Sequence, residues 1–205
     1  MIYLIIGPPA SGKGTTANMI KDEFGLEHIS SGDLFREMND EEIRKYLVSG
    51  RLLPDEMVAR VVDKAIKGKD NYILDGYPRN IHQAKMFDKF LKSEGKEVDQ
   101  VIYLETSIET IISRMSNRRI CKKCGKIYHL INIPPPKPGK CECGCDLIQR
   151  EDDREEIIKA RVDTFNKLTK PVLDHYKDKI LAIDGNKELA ERMSEIRAGL
   201  KTGKE

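Results

Sequence analysis

Short apolar runs alternate with stretches of helical periodicity along most of this chain. Ile2-Tyr3-Leu4-Ile5-Ile6 is unbroken by polar residues and reads as a strand covered on both faces. A glycine-rich turn follows, then a helix over about residues 13–23 and a short strand near Glu27-His28-Ile29. Ser30-Ser31-Gly32-Asp33 reads as a helix start, with helices around 33–38, 40–48 and 55–67 punctuated by Gly50 and Pro54. Asn71-Tyr72-Ile73-Leu74-Asp75 is a buried strand ending in a carboxylate, followed by a turn and a helix near 80–92. Val101–Leu104 is the next strand, with a helix near 107–117. A long helix is expected from about 152 to 177, then the strand Ile180–Ile183 and a last helix near 187–200. This alternation predicts an α/β fold: a parallel sheet with helices on both faces. Residues 118–150 break the pattern.

The strand-to-helix junction after Ile6 carries the first chemistry. Gly7-Pro8-Pro9-Ala10-Ser11-Gly12-Lys13-Gly14-Thr15 has the spacing Gly-x4-Gly-Lys, which lets successive backbone N–H groups curl around a polyphosphate. Lys13 adds a point charge, and the helix that follows aims its positive dipole end at the same anion. A nucleotide is the expected ligand. Gly12-x-Gly14-x-x-Ala17 also fits the looser dinucleotide pattern, but there the first glycine should end the strand, whereas Gly12 already opens the helix.

The chain has 205 residues, enough to bury roughly 70% of its extended surface in one α/β core with a small appendage. No apolar run reaches membrane-spanning length, and the first five-residue run lacks a basic flank and cleavage site, so a cytoplasmic protein without a membrane partner is expected. The formal charge is +2, from 36 basic and 34 acidic residues, which gives no overall bias toward nucleic acid.

The irregular stretch holds all five cysteines, Cys121-x-x-Cys124 and Cys141-x-Cys143-x-Cys145. Two such groups about twenty residues apart fit a tetrahedral zinc ribbon, and a disulfide is the competing reading. Four thiolates leave no open position for water, so this Zn2+ would be structural. One of Cys141, Cys143 and Cys145 must be spare. The echo of Cys124-Gly125 in Cys143-Gly144 favours Cys143, while the sequence leaves open which one is spare; the expected set is Cys121, Cys124, Cys141 and Cys143, with Cys145 the alternative fourth ligand. From Arg114 to Lys140 there are eight basic residues and no acidic one, which suits either a nucleic-acid ribbon or a lid closing on polyphosphate. Tyr128 is the one aromatic inside the ribbon, too few for base stacking, so the lid is preferred.

Taken together, these motifs resemble the adenylate kinases and related nucleoside monophosphate kinases, in the long-lid form with a zinc-binding lid. The resemblance rests on the Gly7–Thr15 loop, Ser30-Ser31-Gly32-Asp33-Leu34-Phe35-Arg36, Leu74-Asp75-Gly76-Tyr77-Pro78-Arg79 with Gln83, Arg118-Arg119-Ile120-Cys121, Arg150-Glu151-Asp152-Asp153 with Arg161, and Asp184-Gly185-Asn186-Lys187. It implies a P-loop three-layer fold with a five-stranded parallel sheet. The core would comprise residues 1–29, 57–117 and 151–205, with a helical monophosphate-binding insertion at 30–56 and the lid at 118–150. Its reaction would be reversible transfer from ATP to AMP, giving two ADP, with Mg2+ on the donor; another monophosphate or a broader donor choice is the alternative.

The resemblance also assigns roles by position. Ala10, Ser11, Gly12, Lys13, Gly14 and Thr15 would hold the donor triphosphate. Arg114 would lie against the donor base, beside Ile127, Tyr128 and the backbone near Lys187. Arg118, Arg150 and Arg161 would converge on the phosphates, the first two from the lid's roots. Arg36 and Arg79 would clamp the acceptor phosphate, and Gln83 would bond its base with help from the backbone around Arg51, Leu52 and Leu53. Ser31, Gly76, Tyr77 and Pro78 would complete that side. Asp75, with Asp33, would organise the water shell of Mg2+. The stretch from Arg36 to Gly50 is several residues shorter than in bacterial relatives, and Ser31 and Ala10 stand where threonine and glycine are common, so base choice stays open. So does homo-oligomerisation, since the family includes both monomers and assemblies.

Overall fold

The computed structural model of the chain describes residues 1–38, 40–49, 51–150 and 153–201. Gly50, read above as punctuation, and Glu151 and Asp152 of the lid-root motif lie outside these residues. The chain runs β1 (Ile2–Ile6), α1 (Lys13–Phe24), β2 (Glu27–Ser30), α2 (Ser31–Glu37), α3 (Glu41–Ser49), α4 (Asp55–Ile66), β3 (Tyr72–Asp75), α5 (Ile81–Ser93), β4 (Gln100–Glu105) and α6 (Ile108–Ser116). Then come β5 (Arg118–Cys121), β6 (Ile127–His129), β7 (Leu147–Ile148), α7 (Glu155–Thr164), α8 (Pro171–His175), β8 (Ile180–Asp184) and α9 (Leu189–Gly199).

Five strands form a parallel sheet in the order β2-β3-β1-β4-β8, as the alternation predicts. All five residues of β1 are buried because helices cover both faces. Ile2, Leu4 and Ile6 pack with Val62 and Ile66 of α4 and with Phe87 and Leu91 of α5. Tyr3 and Ile5 point the other way, into Ala17 and Ile20 of α1 and Met193 and Ile196 of α9. Each fully buried aliphatic side chain contributes about 1.5–3 kcal/mol before chain entropy is charged against it.

Side chains set where several helices begin. Ser30, Asn80 and Ser107 each accept from the backbone N–H three residues on, which caps α2, α5 and α6. The chain leaves β1 toward β2 on one side and β4 toward β8 on the other, which opens a crevice at the strands' carboxyl ends. Register places Asp75 level with Ile5, two residues before Gly7.

The expected long helix over 152–177 is broken. It divides into α7, a single wide turn over Phe165–Thr169, and α8. Pro171 is the cause: it has no N–H, and its ring would strike the carbonyl one turn back. The chain absorbs this by letting the Lys170 N–H reach five residues back to the Phe165 carbonyl (2.8 Å).

Residues 118–148 carry a separate antiparallel sheet, order β6-β5-β7. Its apolar centre is Cys121, Tyr128 and Cys141, with Cys145 and Leu147 against them. So small a core does not hold a fold without a cross-link.

Candidate active site

Helix α1 begins without a cap. Gly12 precedes it at φ +93°, a left-handed conformation that suits glycine, and it offers no side chain to cap the first-turn N–H groups. Those donors are what an anion at a helix N-terminus requires. Lys13 curls back, its ammonium donating to the Gly7 and Pro8 carbonyls at 2.8 Å each. Burial lowers its pKa to about 8; Asp75 opposes that shift, while Arg79, Arg161 and Arg118 add to it. Three further cations and one carboxylate therefore act on Lys13 at the loop. Ala10 sits at φ +56°, which costs about 1–2 kcal/mol for a residue with a side chain. Its methyl packs on the Ile111, Met115 and Ile158 cluster, a contact glycine would lack.

On the far side of the loop, Lys13, Gly76, Tyr77, Pro78, Arg79, Arg161 and Leu52 line one cavity. Gly76 (φ +78°) lets three groups meet: its carbonyl accepts from Ser31 Oγ at 2.8 Å and from Arg79 Nε at 2.7 Å, and a Cβ there would lie 2.9 Å from the serine oxygen. The Tyr77–Pro78 peptide is cis. Thr169, in the wide turn that Pro171 imposes, donates to the Arg79 carbonyl at 2.8 Å. Leu53 is buried in the main core, and Arg51 stands over the Tyr46 ring at 5.4 Å.

Gln83 is 1% exposed, and its amide has partners of opposite polarity. Nε2 donates to Asp55 Oδ1 and Oε1 accepts from the Arg79 backbone N–H, both at 2.8 Å. A flipped amide would set donor on donor and carbonyl on carboxylate, so its orientation is locked. Asp55 is ionised: burial pushes its carboxyl up, but hydrogen bonds from Asn80, Gln83 and His82 hold it below the usual range.

Gly14, Thr15, Asp33, Arg36 and Arg150 line a second, wider cleft of about 1440 Å³ between α2–α3 and the small sheet. Arg36 pairs with Asp33 at 2.7 Å. Burial pushes the Asp33 carboxyl up, but Arg36, and more weakly Ser30 and Arg150, bring it below the ordinary range. Arg118 grips the fully buried Asp153 through both its Nε (2.8 Å) and an NH2 bond, tying β5 to the segment before α7.

Arg114 donates to the Ser11 carbonyl at 3.1 Å. Ile127 is exposed on β6, and Lys187 pairs with Glu195. The Tyr128 ring, in contrast, does not line an open face. It is 2% exposed inside the small sheet, its hydroxyl 3.3 Å from Cys141 Sγ, because β6 turns it toward the thiols.

Four sulfurs, of Cys121, Cys124, Cys141 and Cys143, lie within 4.8 Å of one another, and Cys145 stands outside the group. Separations of 3.4 Å (Cys121–Cys143), 3.5 Å (Cys124–Cys141) and 3.8 Å (Cys124–Cys143) are close to the edges of a tetrahedron with Zn–S about 2.3 Å, which are about 3.8 Å. The donor set is compatible with Zn2+. At the loop, Asp75 Oδ2 lies 3.5 Å from the point a Cβ on Gly14 would occupy, a hard oxygen ligand of the kind Mg2+ or its waters take.

Three residues at the site are missed by the sequence reading. Asp55 reads as an ordinary acidic helix start. His129 borders Arg114, whose charge together with burial lowers its pKa, and only the β5–β6 pairing places it there. Arg192 of α9 is 5% exposed behind Ser11 and Gly12, next to the core residue Met193, with no motif around it.

Comparison with known proteins agrees with this geometry. The adenylate kinase family model matches residues 5–181. An adenylate kinase of Thermosipho melanesiensis is 41% identical, covering 96% of this chain and 97% of its own length. Adenylate kinases of Fervidobacterium nodosum (40% identical, 94% of each chain) and Clostridium perfringens (38%, 96% of each) are similar over the same extent. Among the described residues no helix is long and apolar enough to cross a membrane. With a capless phosphate-loop helix at the head of a five-stranded parallel sheet and full-length similarity of this kind, the chain belongs to the adenylate kinase family of phosphotransferases.

Proposed function

We propose that the protein catalyses the reversible, Mg2+-dependent transfer of the terminal phosphoryl group of ATP to AMP, giving two ADP. One observation carries the reading: Lys13, Arg79 and Arg161 line one cavity at the uncapped start of α1, and Arg118 and Asp75 are close enough to act on Lys13. Donor and acceptor bring about six negative charges, a load that a cage of Lys13, Arg36, Arg79, Arg118, Arg150 and Arg161 matches. Mg2+ on the triphosphate supplies neutralisation of about two of those charges. Asp75, beside Gly14, and Asp33 are the carboxylates suited to its water ligands.

The first-turn N–H groups of α1 and Lys13 hold the donor's phosphates, and Arg114 lies against its base. Arg36 and Arg79 hold the acceptor phosphate, while Gln83, in its locked orientation, reads the base with help from the backbone around Arg51, Leu52 and Leu53. An acceptor oxygen attacks the terminal phosphorus. The bond from that phosphorus to the bridging oxygen breaks, and the oxygen keeps the electron pair as ADP departs. No general base is needed, because a phosphate monoester with a second pKa near 6 is mostly a dianion at neutral pH. Catalysis is then positioning plus stabilisation of charge on the transferring group.

The same reading divides the chain into a core (1–29, 57–117, 151–205), an acceptor insertion (30–56) and a lid (118–150), in a cytoplasmic enzyme whose thiols stay reduced. Zn2+ on Cys121, Cys124, Cys141 and Cys143 supplies the cross-link that the lid's small core lacks. Arg118 and Arg150, at the two roots of that lid, then arrive together and exclude water when it closes.

A coupled assay with Mg2+ across a panel of nucleoside mono- and triphosphates tests this. Turnover fastest with ATP and AMP is expected. Turnover of AMP no faster than that of other monophosphates would make the protein a broader kinase, and no interconversion of adenylates would overturn the reading.

A further inference from the structure

The Ser11–Gly12 peptide carries an unusual load. Its carbonyl accepts from two guanidinium groups, Arg114 at 3.1 Å and Arg192 at 3.4 Å, while the Thr16 N–H takes the Gly12 carbonyl instead. Arg192 also donates to Thr16 Oγ1 at 3.1 Å, and its buried Nε has no hydrogen-bond partner among the described residues. Among the described residues it forms no ion pair, and it is 5% exposed. The charged groups that act on it are Glu188, one turn earlier on the chain, and Arg114, with burial the largest influence and one that disfavours its charge. Such a cation is expensive without a counter-ion. A nearby anion would offset that cost.

We infer that Arg192 is a positioning residue for the donor triphosphate, working through the Ser11–Gly12 peptide rather than by touching the nucleotide. The Ser11 oxygen and the Gly12 N–H belong to one conjugated unit. Charge-assisted bonds to the oxygen draw electron density from the nitrogen and make its N–H a stronger donor. That N–H opens the capless end of α1, where the phosphates are proposed to sit. Arg192 also fixes the loop sterically: its NH1 lies 2.7 Å from where a Cβ on Gly12 would be, so Gly12 and the guanidinium share one space. The inference rests on the reading of this loop as the donor site.

Calorimetric binding of MgATP and of AMP, each alone, separates the possibilities when combined with urea unfolding of the nucleotide-free protein. Arg192→Met removes charge and donors, Arg192→Gln keeps a donor without charge, and Arg192→Lys restores charge. The expected result is MgATP binding about tenfold weaker in the Met and Gln variants, AMP binding changed less than twofold, partial recovery with Lys, and unfolding of the Met variant no easier than that of the parent. Unchanged MgATP affinity in both Met and Gln variants would overturn the inference. So would equal weakening of both nucleotides together with lost stability, the mark of a simple prop. Lys13→Met is the control: if it too leaves MgATP binding intact, the donor-loop reading fails; if it alone abolishes binding, only the role of Arg192 does.

Discussion

Asp63 of α4 offers a stability test whose sign depends on pH. Burial raises its carboxyl to about 6, and its Oδ1 is sealed from solvent without a hydrogen-bond partner among the described residues. Tyr72 and Tyr77 feel its charge and titrate far above the relevant range. An unfolded aspartate titrates near 3.9, so the shift is about two units, or about 2.9 kcal/mol at most. The residue is only partly buried, so solvent screening reduces this to about 1–1.5 kcal/mol. Because the folded value lies above the unfolded one, the native state binds the proton more tightly. The fold is therefore least burdened below pH 4 and loses this contribution as pH rises through 6. Asp63→Asn removes the charge at nearly constant shape. Urea unfolding at pH 7.5 should find the variant more stable by about 1–1.5 kcal/mol, with Tm higher by about 3–5 °C. At pH 4.5 the gap should shrink to about half. Effects of pH elsewhere cancel in the difference between the two proteins. A gap that does not vary with pH, or a variant less stable at pH 7.5, would refute the assignment of a strained buried charge.

Arg79→Ala should lower kcat/KM for AMP by about 10²–10³-fold with MgATP binding nearly intact; equal loss for both substrates in steady-state and binding measurements would remove Arg79 from the acceptor side. Cys143→Ser should lose bound zinc and lower the lid's melting temperature, whereas Cys145→Ser should keep one zinc per chain by metal analysis; the reverse pattern would reassign the fourth ligand. Asp55→Asn can accept or donate, which frees the Gln83 amide to flip. The ratio of kcat/KM for AMP over IMP should then fall about tenfold, since the 6-oxo purine presents the opposite donor and acceptor order; an unchanged ratio would rule out the lock.

Much of this protein is written locally. The run Ile2–Ile6 is a covered strand wherever it is placed, and Gly12 directly before Lys13 can leave a helix start bare whatever packs behind it. Paired Cys-x-x-Cys and Cys-x-Cys spacings bring thiols near one another within one short ribbon. Such features depend on backbone sterics, side-chain periodicity and short loops, and a linear chain states them directly. What tertiary structure alone decided involves residues far apart. Which two of the last three cysteines join Cys121 and Cys124 was undecided by spacing, and the folded ribbon brings Cys141 and Cys143 to them and leaves Cys145 aside. Tyr128 looked available to a base until the ribbon's small core claimed it. Pro171 was visible, but whether it would end the helix or be absorbed in a wide turn that carries Thr169 to Arg79 depended on the packing around Phe165. Asp55 on Gln83 spans 28 positions and Arg192 on Ser11 spans 181. Partners that distant are chosen by how sheets and helices stack, because a hydrogen bond or a buried charge is satisfied by whatever folding brings within reach, not by what lies next along the chain.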